Sequence, residues 1–275
     1  MAIDKKVMDK LNSEPCRIEL NGKRHYNVPL DTGPAPSVTT ILSETASEAN
    51  KKKLEMWSKK NPGVKEKAAE RGTAIHYGME CYLKKAANYP FDELYIPEEY
   101  SNYWDGMPSV LDQFGEVIWA ETPLKPEHEF TVASDGVARV WGTDDEGRAW
   151  AGAPDIIAVT KKGQTTLADL KTSVKLYHRK WPTAEKGSQE WRDGLGGHMK
   201  FKKCCKQLAA YDLGIQQTLG IKVDQAAILV STPERTQIFK ITRRFLDMLA
   251  EDWKKIVAEY YSQIERCNVY DADLV

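Results

Sequence analysis

The sequence predicts an α/β fold, because strand-like segments alternate with long amphipathic helical patterns along one chain. The clearest strand signal is the stretch 152–172, in which two apolar runs flank a polar, glycine-containing turn. The clearest helical signals are 64–87 and 243–264, where apolar residues recur every three or four positions. The 275 residues suffice for a large core, in a chain that is long for one domain but short for two.

Charge and hydropathy exclude some classes of protein. The 39 basic and 40 acidic residues give a net charge of −1, so a uniformly basic nucleic-acid coat is excluded while a local basic groove is not. No run approaches the roughly twenty apolar residues of a membrane helix. The opening residues, MAIDKKVMDKL, lack the features of a signal or transit peptide. We therefore expect an intracellular, cytoplasmic protein with no membrane partner.

The cysteines indicate neither a disulfide framework nor a metal cluster. Their number is odd, and no pair has the CxxC spacing that zinc or iron–sulfur sites use. We expect the cysteines to be reduced and to serve as packing residues. The five are Cys16, Cys81, Cys204, Cys205 and Cys267.

The N-terminal region predicts a hairpin followed by short helices. An Asn-Gly pair inside 17–28 is a strong signal for a two-residue turn. Ser37 is placed to cap a short helix, and 51–60 has a helical pattern with Leu54 and Trp57 on one face.

The helix predicted over 64–87 carries a histidine on its apolar stripe. His76 shares that stripe with Gly72, Met79 and Leu83. A histidine there is more often a core residue than a ligand. Gly72, one turn earlier, has no side chain and would let another element approach His76, which favours a site.

The stretch 152–172 brings two acids and an amine together. Asp155 stands at the entry of the first predicted strand, and Asp169 and Lys171 stand at the exit of the second. Antiparallel pairing would place these three side chains at one end of the hairpin. A carboxylate pair suits a hard divalent cation, and a neighbouring lysine can align water or stabilise phosphate charge. Asp-Leu-Lys alone more often marks a strand end with solvated charges, so this interpretation depends on the rest of the chain.

Further strands and helices are predicted on both sides of that hairpin. Segment 116–121 is the first core strand, 130–141 and 148–159 form a meander, and a helix begins near residue 98 after a loop. Later come a helix over 199–219, strands over 225–231 and 236–241, and the closing helix.

A basic segment follows Lys171. Cations and two tryptophans are interleaved there, which fits the phosphates and stacked bases of a single strand, although charge runs are usually solvated faces. Glycines at 187 and within 194–197 predict a mobile flap. In the next helix Gln207 and Tyr211 lie four residues apart and so on one face.

Taken in order, these pieces resemble the RecB-like exonuclease branch of the PD-(D/E)xK nuclease superfamily. The pieces are His76 in RGTAIH, Glu121 in AETPL, Asp155 in GAPD, Asp169 and Lys171 in ADLKTS, and Gln207 with Tyr211 in QLAAY. PSVTTIL, LEMW and RGTAIH are similar to the mitochondrial genome maintenance exonuclease and its phage relatives. The resemblance spans roughly residues 17–240 and makes a phage or bacterial origin plausible, with the host cytoplasm as the location if the protein is phage-encoded.

The resemblance implies a restriction-endonuclease-like mixed central β-sheet flanked by α-helices, with an N-terminal hairpin and helical extension. One nuclease domain would fill 1–275: hairpin and helices over 1–63, a core over 64–241 with a basic flap at about 174–199, and a C-terminal helix over 242–275. The spacing from Lys171 to Gln207 is long for the family, so the flap would be an insertion.

The resemblance also implies residue roles. Lys171 would position or activate water and stabilise phosphorane charge, while Glu121 matches an acidic catalytic position. The metal ligands would be His76, Asp155, Asp169 and the backbone carbonyl of Leu170, with Asp155 and Asp169 counted also as catalytic. The substrate-binding residues would be Gln207, Tyr211, Thr172, Ser173, Lys175, Arg179 and Trp181.

The expected activity is hydrolysis of DNA phosphodiesters with Mg²⁺ or Mn²⁺, at single strands or free ends, in replication, recombination or repair. Oxygen ligands suit Mg²⁺, and the imidazole shifts the balance toward Mn²⁺. No iron–sulfur cluster is expected, because only Cys267 stands near the C-terminus. Replication or recombination proteins are possible partners. Three alternatives stay open: a structure-specific endonuclease, a catalytically inactive DNA-binding subunit, and a hydrolase of another phosphate ester.

Overall fold

The computed structural model describes the backbone of residues 5–272 and the side chains of residues 5–265. The helices are α1 Lys5–Asn12, α2 Val38–Glu44, α3 Glu48–Lys60, α4 Val64–Ala86, α5 Ser101–Trp104, α6 Met107–Leu111, α7 Gln189–Leu219 and α8 Arg243–Ala272. The strands are β1 Arg17–Leu20, β2 Lys23–Tyr26, β3 Ala35–Pro36, β4 Phe114–Ala120, β5 Thr122–Pro123, β6 Val140–Thr143, β7 Ala149–Gly152, β8 Ile156–Thr160, β9 Thr165–Thr172, β10 Gln225–Ser231 and β11 Thr236–Thr242.

A six-stranded mixed sheet forms the centre of the fold. Its strand order is β11-β10-β9-β8-β4-β5. β9 and β10 run parallel, whereas the other neighbouring pairs are antiparallel. A parallel pair needs a long crossover, and here the 31-residue α7 supplies it. The expectation of a mixed central sheet flanked by helices is confirmed.

Helices cover both faces of this sheet because its central strands are buried on both sides. On β10, Ile228 and Val230 pack into a core built with α7 and α8. Ala227 and Leu229, which alternate with them, pack into a second core built with α4 and α6. Successive side chains of a strand point to opposite faces, so a near-continuous apolar strand serves two cores.

The N-terminal hairpin is present, and three further features were not expected. β1 and β2 pair antiparallel around Asn21, and the short β3 adds a third strand. Helix α1 packs beneath this small sheet, and its Met8 is buried. The helix predicted at 51–60 exists as α3, but it buries no residue, and Leu54 and Trp57 are exposed. That apolar face therefore contributes nothing to the core.

The predicted meander is wrong in two places. Residues Pro126–Thr131 form a 3₁₀ helix, so only the end of 130–141 is a strand. β6 and β7 form a separate two-stranded sheet, and the chain leaves it before starting β8. Pro154 lies in that gap, and proline has no N–H to donate to a continuing ladder.

The segment 174–199, predicted as a flap, overlaps the start of a helix. α7 starts at Gln189 rather than near 199, capped by Ser188, whose hydroxyl accepts from the N–H of Trp191 at 3.0 Å. A Cβ on Gly197 would lie 2.5 Å from the carbonyl oxygen of Leu176. The glycines at 194–197 therefore belong to a helix, and Gly197 permits close packing of the preceding segment rather than forming a loop.

The closing helix follows the predicted pattern. Leu246, Trp253 and Val257 are fully buried, and Tyr260 is nearly so. The side chains of Cys16, Cys81, Cys204 and Cys205 are free thiols within the structure, while that of Cys267 lies outside the described residues. In the described part of the chain, no helix combines the length and apolar character needed to cross a membrane.

Candidate metal centre and active site

The hairpin of β8 and β9 places Asp155 beside the end of β9. Ile156 pairs with Ala168 in an antiparallel register, so Asp155 lies next to Asp169. Oδ2 of Asp155 accepts a hydrogen bond of 2.6 Å from the backbone N–H of Leu170. The predicted convergence of the two strand ends is confirmed, and a backbone amide fixes the orientation of the Asp155 carboxylate.

Asp169 and Lys171 form a close ion pair inside the site. Nζ of Lys171 lies 2.6 Å from Oδ2 of Asp169, whose side chain is fully buried. Burial raises the pKa of Asp169 to about 6, although the ammonium of Lys171 opposes this. Burial alone would lower the pKa of Lys171, but the carboxylates of Asp169 and Asp155 raise it well above its usual value. Lys171 is therefore a cation in this arrangement.

His76 reaches the same place from α4. Its Nδ1 lies 2.7 Å from Oε1 of Glu121, and its Nε2 lies 3.2 Å from the carbonyl oxygen of Leu170. Nδ1 is also 3.9 Å from Oδ1 of Asp155. Burial would lower the pKa of His76, but Asp155 and Glu121 together raise it to about 9. Both ring nitrogens thus face oxygen atoms.

Gly72 is not required at its position by a steric clash. A Cβ there would lie 3.8 Å from Oγ1 of Thr172, which is an ordinary contact. The expectation that this glycine admits another element to His76 is therefore wrong. α4 approaches β9 closely enough for contact, but alanine would also fit.

Glu121 is placed by an unusual backbone conformation directly after β4. Its φ is +56°, in the left-handed region that costs a non-glycine residue roughly 1 kcal/mol. Its N–H donates to the carbonyl oxygen of Asp155 at 2.8 Å. This turn directs the carboxylate to His76, and strain held at one residue often marks a functional site.

Three of these side chains form a group that could hold a cation. The ligand atoms of His76, Glu121 and Asp155 all lie within 4.8 Å of one another. Oδ2 of buried Asp169 faces Nζ of Lys171 at 2.6 Å. Carboxylate oxygens, one imidazole and a nearby carbonyl suit Mg²⁺ or Mn²⁺. The residues present therefore fit a divalent cation.

The grouping differs from the expected ligand set in one respect. Glu121, expected only as an acidic catalytic residue, belongs to the close group. Asp169 instead contacts Lys171 and Gln207. Its role as a direct ligand stays a prediction.

Gln207 and Tyr211 lie beneath the carboxylates. Nε2 of Gln207 donates to Oδ1 of Asp169 at 3.1 Å and to the hydroxyl of Tyr211 at 3.0 Å. Both side chains are buried. A Cβ on Gly152 would lie 2.5 Å from the Tyr211 ring, so a glycine in the GAPD sequence lets this tyrosine approach. The pair supports Asp169 from below, and its burial leaves no open face for a substrate.

The other expected substrate-binding residues lie along the segment after β9. Thr172 is half-buried, while Ser173 is buried and its hydroxyl accepts from the N–H of Lys175 at 3.3 Å. Lys175 pairs with Asp193, and Arg179 donates to the carbonyl oxygen of Lys240 at 2.7 Å. These contacts hold the segment against α7 and β11.

Trp181 is an exposed aromatic residue among the expected substrate-binding residues. It is 57% exposed, and its ring meets His198 edge-on with a centroid distance of 5.6 Å. Trp181 lines a cavity of about 780 Å³, whose other lining residues lie within 177–184 or are Glu190, Asp193, Gly194 and Phe239. This groove is lined by aromatic, basic and acidic side chains.

Two further cations lie at the rim: the sequence gives no role to Arg71, and it places Lys200 only within the basic segment that follows Lys171. Arg71 lies directly before Gly72 in RGTAIH, and Lys200 lies on α7 within hydrogen-bonding distance of Ser173. A cation inside a sequence motif was the only available signal for Arg71.

Comparisons with known proteins identify no family for this chain. The sequence matches no protein-family model, and it matches no curated protein. Among solved structures it is similar to the crystal structure of SSO0001, with 15% identity and a TM-score of 0.36 over 90% of this chain and 82% of that one. It is also similar to a protein named "Putative exonuclease" from Eubacterium rectale, with 13% identity and a TM-score of 0.37 over 70% of this chain and 68% of that one. Both TM-scores are too low to assign a family or an activity.

Proposed function

We propose that the protein is a metal-dependent deoxyribonuclease of the RecB-like branch of the PD-(D/E)xK superfamily, acting on single strands or free ends. The observation that carries the proposal is the convergence of Asp155, Asp169 and Lys171 at one end of the β8–β9 hairpin. Solvated strand-end charges would not be buried, and Asp169 is completely buried. We infer that 1–275 is one nuclease domain working in the cytoplasm, beside replication or recombination proteins.

The cation would be held by His76, Glu121, Asp155 and the carbonyl oxygen of Leu170, with Asp169 beside them. When bound, Mg²⁺ or Mn²⁺ would neutralise charge on the phosphate and make water more acidic. The protein's own contribution is to fix these donors. The Leu170 amide orients Asp155, and the left-handed turn at Glu121 orients its carboxylate.

Lys171 would act on the reacting phosphate. The carboxylate of Asp169 lies 2.6 Å from the ammonium of Lys171, which limits the positions that the ammonium can take. From there it would donate to a phosphate oxygen or to the attacking water, and stabilise the negative charge that develops as water attacks. The water oxygen releases a proton and bonds to phosphorus, one P–O ester bond breaks, and the departing oxygen takes up a proton, so that the net change is the addition of one water. Preorganised charge of this kind contributes about 100- to 1,000-fold in rate.

A cleavage assay tests the proposal directly. Purified wild type and Asp169→Ala would be titrated with Mn²⁺ and given labelled single-stranded, linear duplex and closed circular DNA. We expect wild type to shorten strands with free ends, Asp169→Ala to be inactive, and circles to survive. Asp252→Ala is the matched control, because Asp252 is an exposed acid on α8.

Each other outcome has a defined meaning. Absence of any degradation by wild type contradicts the nuclease proposal. DNA binding without cleavage identifies an inactive binding subunit, and cutting of closed circles identifies an endonuclease. Hydrolysis confined to small phosphate esters identifies a different phosphoesterase.

A further inference from the structure

Two cations at the rim of the site have no carboxylate partner. Near the end of β9, Lys171 pairs with Asp169, and Lys175, which follows the strand, pairs with Asp193. Within the described side chains, Arg71 and Lys200 take part in no ion pair. Nε of Arg71 is buried and makes no hydrogen bond. An unpaired cation beside a reaction centre needs an explanation.

Both cations lie around the end of β9. Nζ of Lys200 donates to Oγ of Ser173 at 3.2 Å. The guanidinium of Arg71 stacks 4.7 Å from the ring centroid of Tyr103. Ser231 links these two contacts, because it accepts from the N–H of Ser173 at 2.9 Å and donates to the carbonyl oxygen of Tyr103 at 2.7 Å.

The two positive charges affect one another. Partial burial lowers the pKa of Lys200, and the nearby charges of Arg71 and Lys175 lower it further. Repulsion between these cations destabilises the folded state, and a bound anion would reverse the effect. Part of the Lys200 side chain remains exposed, so such an anion could enter from solvent.

We propose that Arg71 and Lys200, with the hydroxyl of Ser173, bind a phosphate next to the one that is cleaved. The inference rests on the proposed nuclease function. Lys171 and Ser173 are two residues apart at the end of one strand, so they face the same side and stand roughly 6.6 Å apart. That spacing is comparable with the distance between neighbouring phosphates of an extended strand.

The two side chains suit this ligand in different ways. The planar guanidinium of Arg71 offers several donors in fixed directions, and its stacking on Tyr103 orients it before substrate arrives. Lys200 adds a compact charge that can follow a shifting phosphate. Hydrogen bonds between charged partners are stronger than those between neutral ones.

The test measures binding with no cleavage. Wild type, Arg71→Gln, Arg71→Lys and Lys200→Gln would bind a fluorescent dT oligonucleotide of about ten nucleotides in EDTA, followed by anisotropy at several salt concentrations. We expect Arg71→Gln and Lys200→Gln each to weaken binding about tenfold. Each should also reduce the slope of log K against log salt by about 0.7. Arg71→Lys should weaken binding but leave the slope of log K against log salt unchanged, because lysine keeps the positive charge.

A second measurement locates the phosphate. Oligonucleotides would carry one neutral methylphosphonate at successive positions. Wild type should lose affinity at the contacted phosphate, and Arg71→Gln should show no further loss there. Lys162→Gln is the matched control, because Lys162 is exposed in the β8–β9 turn at the opposite end of the hairpin.

The outcomes separate this inference from the proposed function. If wild type cleaves DNA while Arg71→Gln and Lys200→Gln bind as wild type does, the phosphate site is contradicted and the proposed nuclease function stands. If binding depends on Arg71 and Lys200 but wild type cleaves no DNA, the phosphate site is supported and the proposed nuclease function is contradicted. A wild type that binds no oligonucleotide overturns the site.

Discussion

The side-chain amide of Gln207 donates a hydrogen bond to Oδ1 of Asp169 at 3.1 Å, joining the middle of α7 to the end of β9. The other oxygen of Asp169 faces Lys171. One carboxylate is thus held between an amide beneath it and an ammonium beside it. We predict that Gln207 positions Asp169 without touching substrate.

Replacing this amide should reduce activity without weakening DNA binding. In Gln207→Leu, Asp169 loses a donor and Lys171 loses its fixed partner geometry. Loss of such supporting hydrogen bonds typically costs about 10- to 100-fold in metal affinity or rate. We expect a fall of that size in kcat, measured with labelled single strands, and unchanged anisotropy binding in EDTA.

Gln216→Leu controls for the loss of a hydrogen-bonding glutamine on the same helix. Gln216 bonds Asp212, away from the carboxylates, so its replacement should leave kcat unchanged. Equal effects of the two substitutions would mean that Gln207 serves only the stability of α7. A change in KM with constant kcat would also contradict the positioning role.

Lys171→Met should separate chemistry from binding. Methionine keeps the length of the side chain but removes the ammonium that faces the reacting phosphate. We expect cleavage to fall by about 100-fold or more while the dissociation constant for single-stranded DNA changes less than threefold. An equal loss of binding would place Lys171 among the residues that clamp phosphates.

Metal binding should be visible as thermal stabilisation. A cation at one hundred times its dissociation constant stabilises the folded state by about 2.7 kcal/mol, which raises Tm by roughly 5 to 10 °C in a chain of this size. In Asp155→Asn the Mn²⁺-dependent shift should disappear. Differential scanning fluorimetry with Mn²⁺ or EDTA measures the Tm shift of wild type and that of Asp155→Asn.

In the absence of metal, Asp155→Asn should be about as stable as wild type. Burial raises the pKa of Asp155, with the Glu121 carboxylate adding to the effect, so ionised Asp155 is an unfavourable group in the absence of a cation. Asparagine retains an acceptor for the Leu170 amide. A large fall in metal-free Tm would show that Asp155 is mainly a structural residue.

The sequence predicts the hairpin half of the site well because its geometry is local. Asp155, Asp169 and Lys171 lie within 17 residues, and one turn brings them together. Gln207 enters only through the resemblance, since a helix face does not reveal its partner. Arg71 could not be identified, and Lys200 was identified only as one cation of the basic segment, because their pairing at one place depends on what lies nearby in three dimensions.

Composition misled where tertiary packing decided the conformation. The glycines at 194–197 are typical of a loop, yet Gly197 lies in a helix because Leu176 and His178 pack against it. Leu54 and Trp57 give α3 an apolar face, but nothing in the described structure covers it. Periodicity records which face is apolar, and it does not show whether another element lies opposite.

Asp212 and Arg243 provide a test of stability outside the site. Asp212 is fully buried and its carboxylate receives two donors from Arg243, at 2.6 and 2.9 Å. Asp212→Ala would leave the guanidinium without this partner, and breaking such a pair costs about 3 to 5 kcal/mol. Urea unfolding should show that loss. Asp247→Ala, which removes an exposed partner of the same arginine, should cost less than about 1 kcal/mol.

Trp181 should bind a base of a single strand. Its ring is exposed beside the groove at residues 177–184, and contact with His198 limits its orientations. Stacking of one base on an aromatic ring contributes about 1 to 3 kcal/mol. Trp181→Ala should therefore weaken binding of a dT oligonucleotide by roughly 5- to 100-fold, with little change in Tm or salt dependence. Tyr95→Ala is the control, because Tyr95 is also exposed, at 68%, but lies on an acidic segment. Trp181→Phe should restore most of the affinity, whereas wild-type binding by Trp181→Ala would mean that no base stacks there.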